Sequence, residues 1–206
     1  MSAEEPPLVA VAIDPRVAEE HPGLRVWSAL VAARTARTPP ELRRRLALVA
    51  DRFRGAEAVA LRSRPVPWAY RVLYRHLGID PDAVRTPVEE LVLERLRSGG
   101  IAPRGLPGDA LALATLETGV PVWAVDADRL QGRLELAPDA GGTLLLADAA
   151  GTVAPLFGQP LPERAPTRRT RRLALLAVQA PGVDDLFVEE AVWTAAEALR
   201  TIDAEP

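Results

Sequence analysis

Along this chain the apolar positions fall into two rhythms, one of about 3.6 residues and one of two, and the alternation between them predicts helices and strands in turn. The helical rhythm is clearest after Thr86. Thr86 is placed to cap, Pro87 fits the first helical position, and Glu89 stands three residues after the cap, as a capping box requires. Val88, Leu91, Val92 and Leu96 then make one apolar stripe. Glu89 and Glu90 open the helix, Arg95 and Arg97 close it in accord with the helix dipole, and Gly99-Gly100 ends it. A second helix is predicted over 108–118, with Asp109 as a possible cap and Leu111, Ala114 and Thr115 facing inward; Gly119 stops it. Val120-Pro121-Val122-Trp123-Ala124-Val125 reads as a buried strand, after which Asp126-Ala127-Asp128 turns the chain.

Before this stretch, Leu8 to Ile13 is an apolar run ended by Asp14-Pro15 and reads as a core strand. The run from Leu24 to Ala33 fits a strand or a helix; Val26, Trp27 and Val31 favour the strand. Pro39-Pro40 opens a helix with Leu42, Leu46, Val49 and Phe53 on one face and Gly55 at its end. A short segment over 57–61 follows. Pro65 and Pro67 then precede a helix from Trp68 to Leu77, with Val72, Leu73 and Leu77 inward and Arg71 and Arg75 outside. Beyond Gly132 come three short strands, 133–136, 143–146 and 152–157, separated by good turn sequences, and Pro155 restricts the third to an edge. Leu173 to Val178 reads as a central strand. Asp184 or Asp185 caps a last helix through Ala198, with Phe187, Ala191 and Ala195 in register for packing. The expected class is α+β with a mixed or antiparallel sheet system, in a single domain over 1–206.

Composition narrows the chemistry. The absence of Cys removes disulfides and thiolate catalysis, and two histidines, His21 and His76, leave no multi-His metal site, so neither metal nor cofactor is expected. His76 closes a helix, where a cap or dipole partner is the ordinary role and a general base the alternative. No apolar run reaches the length of a membrane span, and the opening MSAEEPPLVAVAID has no basic region, so a cytoplasmic protein without membrane association is expected. Every basic residue is Arg, and both Lys and Asn are absent, which suits a GC-rich genome or a thermostable protein. A net charge of -3 argues against polyanion binding by the whole surface and leaves a local patch as the only route. From Arg25 to Arg75 there are 12 Arg against three acids, a net of +9, so the rest of the chain carries -12.

The segment GIDPDAVRTPVEELVLERLRSGG, followed by a helix closing in LETGVPVWAVDADRLQG, resembles the tRNA-binding and editing module (B3/B4 domain) of the phenylalanyl-tRNA synthetase beta subunit in its free-standing form. The resemblance covers about residues 68–178 and lies in the order and spacing of the pieces. It implies a β-sandwich or mixed sheet with flanking helices, a strand at Leu24 to Ala33, and tRNA or aminoacyl-tRNA as partner. It also implies, as an alternative to binding alone, deacylation of a mischarged aminoacyl-tRNA in trans. A non-catalytic ligand or protein interaction domain is the third possibility.

Four groups of residues carry the candidate chemistry. Arg34, Arg37, Arg43, Arg44, Arg45, Arg62 and Arg64 offer forked guanidinium donors to phosphate; the alternative is a solvated helical face. Arg168, Arg169 and Arg171 surround Thr167 and Thr170, and Thr-x-x-Thr matches the family's Thr pair, which the resemblance places at the floor of an aminoacyl pocket. Two Thr bonding the local backbone at a strand entrance is the other reading. Asp109 and Thr115 fall at family site positions, Thr115 for a usual Ser, while Ala112 replaces a usual Asn; Asp109 as a simple helix cap is the alternative. Gly142-Thr143 stands where the family has Gly-Glu, a carboxylate that helps recognise misattached tyrosine, and this departure predicts weak or absent tyrosine editing.

Overall fold

A computed structural model describes residues 5–200; the opening residues 1–4, included in the reading of the N-terminus above, lie outside the described residues. The chain begins with two short strands, β1 (Val9–Ala10) and β2 (Ala12–Ile13), then α1 (Pro15–Glu20) and the long strand β3 (Arg25–Ala32). Five helices follow: α2 (Pro40–Ala50), α3 (Ala56–Ala60), α4 (Pro65–His76), α5 (Pro87–Ser98) and α6 (Gly108–Thr118). Then come β4 (Val122–Asp126), β5 (Glu135–Pro138), β6 (Leu144–Asp148), β7 (Gly151–Pro155), β8 (Arg172–Gln179) and α7 (Asp185–Arg200).

The fold is α+β, with two four-stranded sheets and flanking helices. One sheet has the order β1-β3-β8-β4 and is antiparallel throughout. The other, β2-β5-β6-β7, is mixed, because β2 runs parallel to β5. β8 is central in the first sheet because its residues are apolar on both faces, and Leu173 to Val178 are all buried. α7 lies across β8, β3 and β4 and packs on α6. Buried side chains from both sheets and from the helices form one contiguous apolar cluster.

Local signals explain most boundaries. The Thr86 capping box forms, with the Glu89 carboxylate accepting from the Thr86 N–H at 3.1 Å. Gly119, in the left-handed region at φ 80°, ends α6 where any Cβ would come within 3.2 Å of Val66 Cγ1, so both backbone conformation and close approach favour glycine. β7 lies at a sheet edge, as Pro155 demands.

Several expectations require correction. Leu8 to Ile13 is two strands, not one: the chain crosses between sheets at Val11, whose N–H donates to Val26 O at 2.8 Å, while Asp14 N–H reaches Leu136 O at 2.9 Å. Asp14-Pro15 opens α1, which the sequence pattern did not reveal; Asp14 Oδ1 caps it by accepting from Arg16 N–H. α2 stops at Ala50, leaving Phe53 buried beyond it and Gly55 at the start of α3. Pro65 and Pro67 lie inside α4, since proline is tolerated in a first turn. The helix at Gly108 is preceded by Pro107, and Asp109 is not its cap. The strands beyond Gly132 are displaced, the first by two residues. Leu96 and Phe187 are exposed.

The largest correction is Arg71, expected outside and found buried. Its guanidinium donates to Glu89 Oε1 and to Asp82 Oδ1, each at 2.8 Å. Helical spacing placed it outward as a charge; two carboxylates from the following segment allow it inside. Asp82, also reached by Arg62 and Arg85, has its acidity raised, its pKa held below the ordinary carboxylate value chiefly by the Arg71 hydrogen bond. A depressed folded pKa contributes stability above the unfolded value, near about 3.9, that is lost as pH falls through the folded one. Acid unfolding of Asp82→Asn, followed by circular dichroism, should therefore converge on that of the parent protein at the lowest pH and differ from it most above about pH 4. A difference that does not vary with pH would show that Asp82 charge is not involved.

Candidate nucleic-acid interface

The antiparallel register of β3 and β8 pairs Ala32 with Arg172, so the segment leaving β3 and the segment entering β8 must be neighbours. The ladder continues past the strands. Ala33 N–H donates to Arg171 O at 3.0 Å, and the Thr35 hydroxyl donates to Thr167 O at 2.8 Å. Two arginine-rich stretches far apart in the sequence thus lie side by side. They bring together Arg34 and Arg37 on one loop and Arg168, Arg169 and Arg171 on the other, all exposed. Arg43, in the first turns of α2, joins them by donating to Thr38 O at 3.3 Å.

Buried carboxylates hold both loops from below. Asp126, at the end of β4, accepts the Thr170 hydroxyl hydrogen at 2.6 Å and the Asp128 N–H at 3.1 Å. Thr170 Oγ1 in turn accepts Thr167 N–H at 2.8 Å. On the other loop the Thr38 hydroxyl donates to Asp109 Oδ2 in a short contact, and Asp109 Oδ1 accepts Arg104 N–H at 2.9 Å. Asp109 lies in the first turn of α6, where the helix dipole favours a negative charge, so its burial without an arginine partner has compensation. Ala36 pairs with Leu106, tying the first loop to the turn before α6.

This arrangement gives the four expected pocket residues structural partners. Thr170 has its hydrogen committed to Asp126 and a lone pair committed to Thr167, so it has little left to offer a developing oxyanion. Asp109 fastens the Arg34–Thr38 loop. Thr115 is buried within α6, with Val122 N–H at 3.5 Å from its hydroxyl. Thr167 contributes its carbonyl to Thr35 and its N–H to Thr170.

Of the remaining arginines, three are engaged elsewhere. Arg45 spans Glu117 on α6 at 3.0 Å and Glu197 on α7 at 3.1 Å. Arg62 pairs with Asp82 and Glu89, and Arg64 pairs with Glu57 while lying 5.6 Å from the Phe53 ring centroid. The excess positive charge of the N-terminal third is thus partly neutralised by acids that come later in the chain. Arg44 is exposed on α2. The residues that sequence reasoning passed over are the anchors, Thr35, Thr38 and Asp126. Only Asp126 left a signal, a carboxylate ending an otherwise apolar strand.

Among the described residues no group of three or more His, Asp or Glu could hold a metal ion, and no helix is long and apolar enough to cross a membrane. Compared with models of known families and with curated proteins, the chain matches none.

Proposed function

We propose that this chain is an RNA-binding protein, with tRNA the partner the residue-order resemblance favours, and that Arg34, Arg37, Arg43, Arg168, Arg169 and Arg171 form its phosphate-binding rim. The observation that carries this reading is the pair of contacts, Ala33 to Arg171 and Thr35 to Thr167, that joins the two arginine-rich segments. Guanidinium groups suit phosphate because they stay charged and present paired donors. Concentrating them on one rim gives a protein of net charge -3 a local attraction for a polyanion. Binding is favoured over ester hydrolysis because the Thr167 N–H and the Thr170 hydroxyl hydrogen are already used within the fold.

Fluorescence anisotropy of labelled tRNA across a salt series tests the reading. Each phosphate neutralised releases counterions, so affinity should fall steeply with salt. Replacing Arg37, Arg168 and Arg169 together with Ala should reduce the log–log slope by about 2 to 3. The Arg62→Ala/Arg64→Ala protein serves as control and should keep the parental slope. Equal slopes and equal affinities for the rim triple variant and the parent would overturn the assignment.

A further inference from the structure

A second site stands on different residues. Between the C-terminal ends of α1 and α4 and the turn joining β5 to β6 lies a cavity of about 610 Å³, within the size range of small-molecule pockets. Both histidines of the chain, His21 and His76, line it with Arg16, Glu20 and Thr143, and Leu77, Leu144 and Leu156 give it an apolar side. The two histidines and Glu20 also line an adjoining cavity of about 370 Å³ that reaches Val72, Leu73 and Pro181.

The arginines deeper in the fold are paired with carboxylates, as at Arg71, Arg95 and Arg164. Here the Arg16 guanidinium and both imidazoles make no side-chain hydrogen bond or ion pair among the described residues. Backbone donors of the same walls are already committed. Gly141 and Thr143 N–H both go to Asp139 Oδ1, Gly78 N–H to Arg75 O, and Ile79 N–H to Tyr74 O. What remains is three basic side chains against one carboxylate, around a space far larger than an inorganic ion and apolar on one side. A metal ion is a poor fit, since no three ligating groups converge.

We propose that this cavity binds a small organic anion, a carboxylate or phosphate monoester with an apolar body, its head held by Arg16, His21 and His76 and its body against Leu77, Leu144 and Leu156. Glu20 faces the same space. It opposes any anion that does not engage the three donors directly, and it offers an acceptor to a hydroxyl or ammonium on the ligand. A guanidinium supplies the charge-assisted hydrogen bonds that dominate such a site.

Nuclear magnetic resonance reads the site directly, because His21 and His76 are the only sources of imidazole Cε1–H signals in the chain. Phenyl phosphate and phenylacetate, titrated separately, distinguish a phosphate head from a carboxylate head. With at least one of them, both histidine signals should move and saturate. Arg16→Ala, an exposed substitution, should weaken that binding about tenfold or more, the loss expected for one charged hydrogen-bond partner. His76→Gln, also at an exposed position, should weaken it several-fold, and Arg97→Ala, on α5, should leave it unchanged. Failure of both probes to produce a saturable shift at millimolar concentration, or equal affinity in Arg16→Ala and the parent, would overturn the proposal. No RNA enters this assay, so its outcome is independent of the phosphate rim.

Discussion

Glu89→Ala will lower the free energy of unfolding by about 3–5 kcal/mol, the range expected when one member of a buried ion pair is removed and the other is left uncompensated. Both side chains of the Arg71–Glu89 pair are almost wholly enclosed, at 4% exposure each. Glu89 also accepts from the N–H and the hydroxyl of Thr86, so its loss opens the first turn of α5 as well as stranding Arg71. Domains of this kind are stable by only about 5–15 kcal/mol, so the variant should lie close to unfolding. Urea denaturation gives the measurement. A cycle with Arg71→Met separates the contributions: removing both charges should cost less than removing Glu89 alone, because no guanidinium is then left buried. A loss under about 1 kcal/mol for Glu89→Ala would mean that Asp82 and the Pro81 carbonyl suffice to hold Arg71.

Asp148→Ala is expected to have an effect of similar size, about 3–5 kcal/mol, for a related reason. The Asp148 side chain is fully enclosed and receives three donors: the Arg164 guanidinium at 2.8 Å, Gln131 N–H at 2.7 Å and Ala150 N–H at 2.9 Å. Arg164 is itself buried and also donates to Arg129 O. The pair anchors the start of the proline-rich segment that leads to Arg168 and Arg169. Truncating Asp148 should therefore loosen that segment as well as destabilise the fold. Limited digestion with trypsin, which cuts after arginine, should become faster between Arg164 and Arg172 than elsewhere in the variant. Asp148→Asn keeps the shape and an acceptor, and should fall between the two. Unchanged digestion in Asp148→Ala would show that the Asp126–Thr170 and Thr35–Thr167 contacts fasten the segment without Asp148.

Elements with strong local signals were legible in the sequence. The Thr86 cap and the stop of α6 at Gly119 both follow from residues within a turn of the boundary. β8 was legible because its apolar run has no polar face. What escaped depends on distant partners. Nothing near Arg71 announces that Asp82 and Glu89 will enclose it, and a helical wheel naturally turns an arginine to solvent. Leu8 to Ile13 reads as one strand because its division is made by two different neighbours, Val26 and Leu136. For the interface, both arginine-rich segments were visible as composition. Their adjacency was not, because it is produced by strand register, and neither was the engagement of Arg45 with Glu117 and Glu197.

The pairing of β3 with β8 also bears on how the chain acquires its shape during synthesis. Leu30 lies opposite Ala174, so the central ladder of the first sheet joins residues from opposite ends of the polypeptide. At ordinary elongation rates β3 waits on the order of ten seconds for its partner to emerge. During that interval the apolar run with Val26, Leu30 and Val31 lacks its long partner, because β1 pairs with only two residues of it. Arg25 at the start of this run and Arg34 and Arg37 just beyond it are like charges, the kind of residue that disfavours association of an exposed apolar segment.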